Sequence, residues 1–537
     1  MAKILLVDDD PSQIELRRLL FEKAGHTVVC ATGEADALPH LRTASIDVVV
    51  MDLHLPRTAD GTALIRQARL LAPETRVVVM SGFAEDLQER PEASMVDAVV
   101  RKPIRSQKLL ATVAKLAILL LCLSGARAQQ KSDFPFQLDS AAEVVAELDL
   151  SAPDADWGRQ GRESVLAVLT LDGAKQQNVM VYAGAQRHRY AVFLGPLEPG
   201  AHQVKIERHP DLTPRGLNLA IHGVTYREYK PQDADYAVIA SAPVLFARAN
   251  TLRKFSDIPL LTYCERLPDG SLRYSVIFSN EDGGTSTRAL MARWGRATDI
   301  EHVYQVWPDK AGNAVKSLIQ TRDHKDVPFQ GQRDGQHPLL GVVTDNNMVG
   351  EGRTSIRYQL APVVVTLNSA SREQVMDEHP LTYLISAREL EREGKLRKFG
   401  AFEGTNISNP ENYLFVEARV VNKGARLAVL VRLEGDNFFR SSHLGVYDMA
   451  IERSGWVRTA IELPPATQPA QVAEIALQCL PEAKSDGSGT CRVETISKMF
   501  FLDASQRPAE NFFRPQVDRG PWIVPAGHTR TIAVRNQ

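Results

Sequence analysis

Asp8 and Asp9 follow the apolar run Ile4 to Val7, and Asp52 closes a second run, Val48-Val49-Val50-Met51. Two buried strands thus deliver carboxylates to one edge of a sheet. Like charges gathered this way repel and raise one another's pKa unless a cation sits among them. Such a pocket suits a divalent metal and a phosphoryl group whose charge the metal neutralises. Ser81, in Val79-Met80-Ser81-Gly82, and Lys102, in Arg101-Lys102-Pro103, end two further apolar runs. An exposed turn and helix cap is the competing reading of the aspartates. It suits Asp10, which stands before Pro11 as an N-cap stands before a proline in the first turn. It does not account for Asp52, Ser81 and Lys102 together.

The elements that must position these residues are legible around them. Strand-like runs at 4–7, 46–51, 77–80 and 96–100 alternate with helical patterns at 12–24, 34–43, 61–71 and 104–115. That is the rhythm of a parallel, doubly wound α/β sheet. Ligands in that architecture bind at the carboxyl ends of the strands, so the polar residues fall in one site.

On these motifs residues 1–115 resemble the receiver domain of bacterial two-component response regulators, a flavodoxin-like fold. The resemblance implies that Asp52 accepts a phosphoryl group from a sensor histidine kinase or phosphotransfer protein. It implies Mg2+ held by Asp9, Asp52 and the backbone carbonyl of His54, with Asp8 completing the acidic pocket through a water. Ser81 would bond a phosphoryl oxygen and Lys102 would pair with the acyl phosphate. No enzyme activity beyond the receiver's own phosphorylation and dephosphorylation is implied. The chemistry agrees, because phosphoryl transfer to a carboxylate needs charge neutralisation and positioning more than covalent help. Three features depart from the family pattern. The stretch Asp52 to Gly61 is one residue longer than usual, Val99 replaces the common aromatic, and Ile104 replaces the common Phe after Lys-Pro.

Leu109 to Leu123 is apolar apart from Thr112 and Lys115, lies behind Arg101, Lys102, Arg105 and Lys108, and precedes Ala126-Arg127-Ala128. Basic flank, short apolar core and A-x-A site are the three parts of a secretory signal. Read as a membrane span, 109–126 is at the lower limit of length, and the positive flank would keep the receiver in the cytoplasm. The first half also suits the last receiver helix, with Ile104, Leu109, Leu110, Val113 and Leu116 as its apolar face. Two readings stay open: passage through a membrane, with the C-terminal region exported or membrane-associated, or a linker helix buried against one of the chain's own domains.

The chain has 537 residues and net charge −2. It is too long for one ordinary domain and has no electrostatic footprint for nucleic acid. After a linker at 129–150 the texture becomes β-rich. Short runs at 165–170, 179–182, 190–194, 202–206 and 217–224, separated by Asp172-Gly173, Ala183-Gly184 and Pro199-Gly200, predict a small β-sandwich over 151–232. Runs at 272–279, 357–366, 413–421, 427–433, 456–463 and 530–534 predict a larger β-rich domain over 233–537. A helical insert at 371–398 is expected there, opened by a capping box, Ser371-Arg372-Glu373-Gln374. Cys479 and Cys491 flank a turn-rich stretch, so they are either a disulfide suited to an exported domain or two unrelated thiols.

Polar clusters in the β region occur at Ser279-Asn280-Glu281-Asp282-Gly283-Gly284, Asp299-Ile300-Glu301-His302, Asp323-His324, His337 and Asp345-Asn346-Asn347. Asp299 with Glu301, and Asn280 with Asp282, would each share a strand face, as paired carboxylates for glycoside cleavage or calcium binding do. The plainer reading is that Asx-Gly runs are turns and the histidines structural. No serine-hydrolase elbow, zinc-binding HExxH or P-loop is found. Two functions are compatible with these features. One is a signalling protein whose receiver state is read by a partner or by a membrane-tethered C-terminal part. The other is an exported β protein, carbohydrate-binding or carbohydrate-active, joined to a receiver by gene fusion or by a start-site or assembly error.

Overall fold

The computed structural model describes residues 2–534 apart from 44–45, 56–57, 73–74, 83–86, 88–89, 126–131, 249–250, 252–253, 310, 354–355, 402–403, 483–487 and 515–519. The side chains of 42–43, 58–60, 70 and 117–125 also lie outside the description. The chain divides into two compact units, Met1–Gln130 and Lys131–Gln537.

The first unit runs β1 (Lys3–Val7), α1 (Pro11–Lys23), β2 (Thr27–Ala31), α2 (Glu34–Thr43), β3 (Val48–Asp52), α3 (Thr58–Leu71), β4 (Arg76–Ser81), β5 (Ala98–Arg101) and α4 (Ser106–Gly125). The five strands are parallel in the order β2-β1-β3-β4-β5. Helices cover both faces, which is why β3 reads as an unbroken apolar run. Alternation along the strands makes two cores. Leu5, Val7, Val49 and Met51 face Leu64 and Ile65, whereas Ile4, Leu6, Val48 and Val50 face Ile14, Phe21, Leu109 and Val113. This is the doubly wound, flavodoxin-like sheet. β2 is not among the expected strands: it is an edge strand, only partly buried, and its short run TVVCA carries a weak signal.

Asp10 caps α1, its Oδ1 accepting from the Ser12 and Gln13 N–H groups at 2.8 and 3.4 Å, with Pro11 in the first turn. In α4, Leu109, Val113 and Leu116 are buried against the sheet. The helix continues to Gly125, beyond the expected end near residue 115. The side chains of Ala117–Gly125 and the A-x-A site at Ala126–Ala128 lie outside the description, so most of the expected 109–126 span does too. Among the described residues, no helix is long and apolar enough to cross a membrane.

The second unit is strand-rich throughout. β6 (Asp133–Leu138), β7 (Ala142–Ser151), β8 (Leu166–Leu171), β9 (Lys175–Met180), β10 (His188–Leu197), β11 (Gly200–Arg208) and β12 (Ala220–Tyr229) form two sheets. Their orders are β10-β7-β12 and β6-β11-β8-β9, and they share one core. The linker expected at 129–150 is thereby corrected. Residues 133–138 and 142–151 are strands, and β7 is the central strand of its sheet, buried along most of its length.

Next come β13 (Val244–Phe246), β14 (Pro259–Arg266), β15 (Leu272–Phe278), β16 (Asp299–Pro308), β17 (Ala314–Gln320), β18 (Asp326–Pro328), β19 (Arg333–Asp334), β20 (His337–Val342), β21 (Val349–Glu351), β22 (Arg357–Tyr358) and β23 (Val363–Val365). Six of these strands form one sheet in the order β18-β17-β16-β15-β14-β23. Helix α5 (Tyr236–Ala240) precedes β13, α6 (Thr287–Trp294) lies between β15 and β16, and α7 (Gln374–Glu378) and α8 (Leu381–Arg392) follow β23. The expected capping box does not form. Glu373 is the N-cap of α7 without a side-chain bond, and Ser371 Oγ instead donates to Glu417 Oε2 at 2.6 Å.

The last strands are β24 (Tyr413–Lys423), β25 (Ala425–Leu433), β26 (Arg440–Ser441), β27 (Gly455–Glu462), β28 (Val472–Pro481), β29 (Thr490–Phe500), β30 (Trp522–Pro525) and β31 (Thr529–Ala533). They make two sheets, β27-β24-β29-β30 and β26-β25-β28-β31, around a core of their own.

Candidate functional site

The carboxyl ends of β1 and β3 bring Asp8, Asp9 and Asp52 together. Among the described residues they are the acidic group whose oxygens all lie within 4.8 Å of one another. Asp8 and Asp52 are buried, while Asp9 is exposed at the mouth. Main-chain bonds hold the strand ends in place: Asp8 N–H donates to the Ala31 carbonyl at 3.3 Å, Leu53 N–H to Met80 at 3.0 Å, and Lys102 N–H to Ser81 at 2.8 Å. Ser81, the last residue of β4, is fully buried. The loop after Asp52 passes through 56–57, outside the described residues, but its far end is closely packed. A Cβ at Gly61 would overlap the Leu53 carbonyl oxygen, so that position needs glycine.

Two cations answer the three carboxylates. Lys102 Nζ pairs with Asp52 Oδ2, whose other oxygen accepts the His54 N–H at 3.3 Å. Asp8 Oδ1 accepts the Asp10 N–H at 3.0 Å, and its Oδ2 takes Arg17 Nη1 at 2.5 Å. Sequence reasoning missed Arg17. A signal existed: it stands at i+3 from Ile14 and i−4 from Phe21, on the buried stripe of α1, where a charge needs a partner. The pocket keeps a net negative charge after both pairs. A divalent cation with oxygen ligands fits that deficit, and the His54 main chain already lies against Asp52. Val99 and Ile104, at the positions of the usual aromatics, are half-exposed and partly buried.

Residues 4–114 match the family model for the response regulator receiver domain. They are a receiver domain. No family model matches the C-terminal region. The chain is 32% identical over 166 residues to the sensory/regulatory protein RpfC of Xanthomonas campestris pv. campestris, an overlap of 29% of this chain and 22% of that protein. A putative transcriptional regulator of Pseudomonas aeruginosa is 35% identical over 123 residues, covering 22% of this chain and 58% of the relative. The chain thus spans about a fifth of the first relative's length. Among solved structures, a receiver domain protein of Clostridium thermocellum is 24% identical with TM-score 0.22, over 23% of this chain and 99% of its own. The response regulator TrrA of Thermotoga maritima, solved in complex with Mg(2+)-BeF, is 22% identical with TM-score 0.20, over 22% of this chain and 99% of its own.

In the second unit the polar residues singled out from sequence separate into two groups. Asp299 and Glu301 lie on β16, and Glu301 hydrogen-bonds Asp299. Burial, with the nearby Asp299 charge, pushes Glu301 up to about 9 and Glu281 up to about 7. Asp282 turns away, with Oδ1 on Lys395 Nζ at 2.9 Å and its N–H on Asp257 at 3.2 Å. His337 is structural: it is buried, with Nδ1 2.8 Å from the Ala242 carbonyl oxygen and Nε2 3.3 Å from Glu143. Cys479 and Cys491 are both buried free thiols in mutual contact.

Proposed function

We propose that Asp52 is the phosphoacceptor of a magnesium-dependent phosphorelay, charged by a sensor histidine kinase or a phosphotransfer protein. The observation that carries this reading is the ion pair between Lys102 and Asp52 at the end of a buried central strand, beside Asp8 and Asp9. A bound Mg2+ would be held by Asp9, Asp52 and the His54 carbonyl, with Asp8 reached through a water, and would neutralise phosphoryl oxygens. An oxygen of Asp52 attacks phosphorus as the bond to the donor breaks and the donor keeps the electron pair. Lys102 then exchanges its carboxylate partner for a phosphoryl oxygen, and the Ser81 hydroxyl donates to another. Incubating the full chain with acetyl phosphate and Mg2+ and measuring intact mass tests this. Wild type gains an acid-labile phosphoryl group, and equal labelling of Asp52→Asn would sink the assignment.

The partner's approach has a candidate surface on the same unit. A groove of about 470 Å³ beside the pocket is lined by Gln13, Leu16, Arg17, Lys102 and Ile104, and exposed Leu16 and Leu19 continue its apolar rim along α1. The receiver reads as cytoplasmic, where kinases are. Ala126-Arg127-Ala128, after an apolar run, supports export or membrane association of the C-terminal region.

A further inference from the structure

Three polar clusters far apart in sequence meet at one end of β15 and β16. Asn280 and Glu281 come just after β15, Asp299 opens β16, and Asn347 belongs to the turn between β20 and β21. One atom joins them. Asn347 Nδ2 donates to the Asn280 carbonyl at 3.0 Å and to Asp299 Oδ2 at 3.1 Å. The two loops are interlocked. Gly283 N–H donates to the Asp345 carbonyl at 2.9 Å, and a Cβ on Gly283 would come within 2.6 Å of Asp345 Cβ. A Cβ on Gly284 would overlap Glu281 Oε1, which accepts the Thr285 N–H at 2.8 Å. Asn347 holds φ +55, a conformation asparagine tolerates better than most residues.

This packing leaves oxygens without partners. Asn280 and Asn347 are fully buried, yet both side-chain polar atoms of Asn280 and the Oδ1 of Asn347 have no hydrogen bond. The Asn347 Oδ1 belongs to the same amide whose nitrogen reaches Asp299. Glu281, Asp299 and Glu301 bring three carboxyl groups. Arg296 reaches Asp299 at 3.5 Å and is shared with Glu373 at 3.3 Å, while Arg372 pairs with Glu373 at 3.7 Å and acts on Glu301 and Asp299 from further off. A water would satisfy the amides and leave the crowded carboxyl groups unanswered. A cation answers the unpaired amide oxygens and the carboxyl groups together.

We infer that Asn280, Glu281, Asp299 and Asn347 form a calcium-binding site in the second unit. Carboxylate and amide oxygens in an irregular buried pocket suit Ca2+, which accepts mixed oxygen donors and flexible geometry. Mg2+ keeps several waters and needs near-octahedral order. Glu301 then acts on the site through its bond to Asp299.

The site is tested on the full chain carrying Asp9→Ala, which disables the receiver pocket, by calorimetric titration with CaCl2 in excess MgCl2. The expected result is one Ca2+ equivalent that disappears when Asp299→Asn is added. Glu281→Gln and Asn347→Ala should each weaken it. Circular dichroism identifies a misfolded Asp299→Asn protein, in which case Glu281→Gln decides. Absence of any Ca2+ equivalent in the Asp9→Ala chain overturns the inference, as does an equivalent that persists unchanged in the folded variants. Neither outcome touches the assignment of Asp52.

Discussion

Oxidation should join Cys479 to Cys491 and stabilise the C-terminal pair of sheets by about 3 kcal/mol, the chain-entropy value for so short a loop. The two residues lie in different sheets. Cys479 on β28 pairs with Leu427 on β25, whereas Cys491 on β29 pairs with Asn422 on β24 and Val524 on β30. Both are fully buried in the core between the sheets, and their thiols already meet. Hydrogen bonding between them holds the Cys479 thiol below its usual range and pushes the Cys491 thiol up. Little native rearrangement then offsets the entropic gain, and a free-energy change of this size corresponds to roughly a hundredfold in the unfolding equilibrium. The assay is refolding with oxidised glutathione, which is reduced to two glutathione molecules as each bond forms. Intact mass should fall by two hydrogens, and the urea midpoint of the C-terminal transition should rise relative to reduced protein. Labelling of both thiols after oxidative refolding would refute the reasoning, and so would identical midpoints with and without reductant.

Magnesium should raise the thermal midpoint of the receiver, and Asp9→Ala should remove most of that shift; equal shifts in the two proteins by scanning fluorimetry would exclude Asp9 as a ligand. Arg17→Met leaves the Asp8 carboxylate buried without its partner, so the metal-free receiver should lose about 3–5 kcal/mol, measured by urea unfolding. Glu301 takes up a proton on folding between its ordinary value near 4.5 and its folded value of about 9, so its contribution to stability is complete below pH 4.5 and is lost as pH rises through 9. With calcium chelated, Glu301→Gln should therefore unfold at higher temperature than wild type at pH 8, an advantage that fades below pH 4.5. A reporter active only outside the cytoplasm, fused after residue 140, should be active if the chain beyond Ala128 crosses a membrane. A silent reporter on a soluble full-length product contradicts that reading.

The receiver was legible because its chemistry sits where its folding pattern ends. Each of β1, β3, β4 and β5 is an apolar run that stops at a polar residue, so one scan along the chain yields both strand and site. β2 escaped for the matching reason: as a partly exposed edge strand it has neither an unbroken apolar run nor a functional residue after it. Arg17 was hidden by its type. A charged residue in a polar helix looks solvated until the helix is rotated onto the sheet and its stripe includes position 17.

The second unit reverses this relation between local pattern and site. Its strands alternate well enough to be found, but the order of pairing depends on contacts distant in sequence, such as β7 between β10 and β12. The same holds for the polar residues. Read locally, Asn280-Glu281-Asp282-Gly283-Gly284 and Asp345-Asn346-Asn347 are ordinary turn sequences, and Asp282 looks as good a ligand as Glu281. Only pairing of β15 with β16, with Phe278 opposite Asp299, sets Asp299 beside the residues just after β15. Only the β20–β21 turn then adds Asn347, whose amide reaches both. A site assembled from a strand end, the residues after the neighbouring strand and a turn of another sheet therefore leaves turn-like fragments in sequence, and it becomes visible through unpaired buried oxygens rather than through spacing.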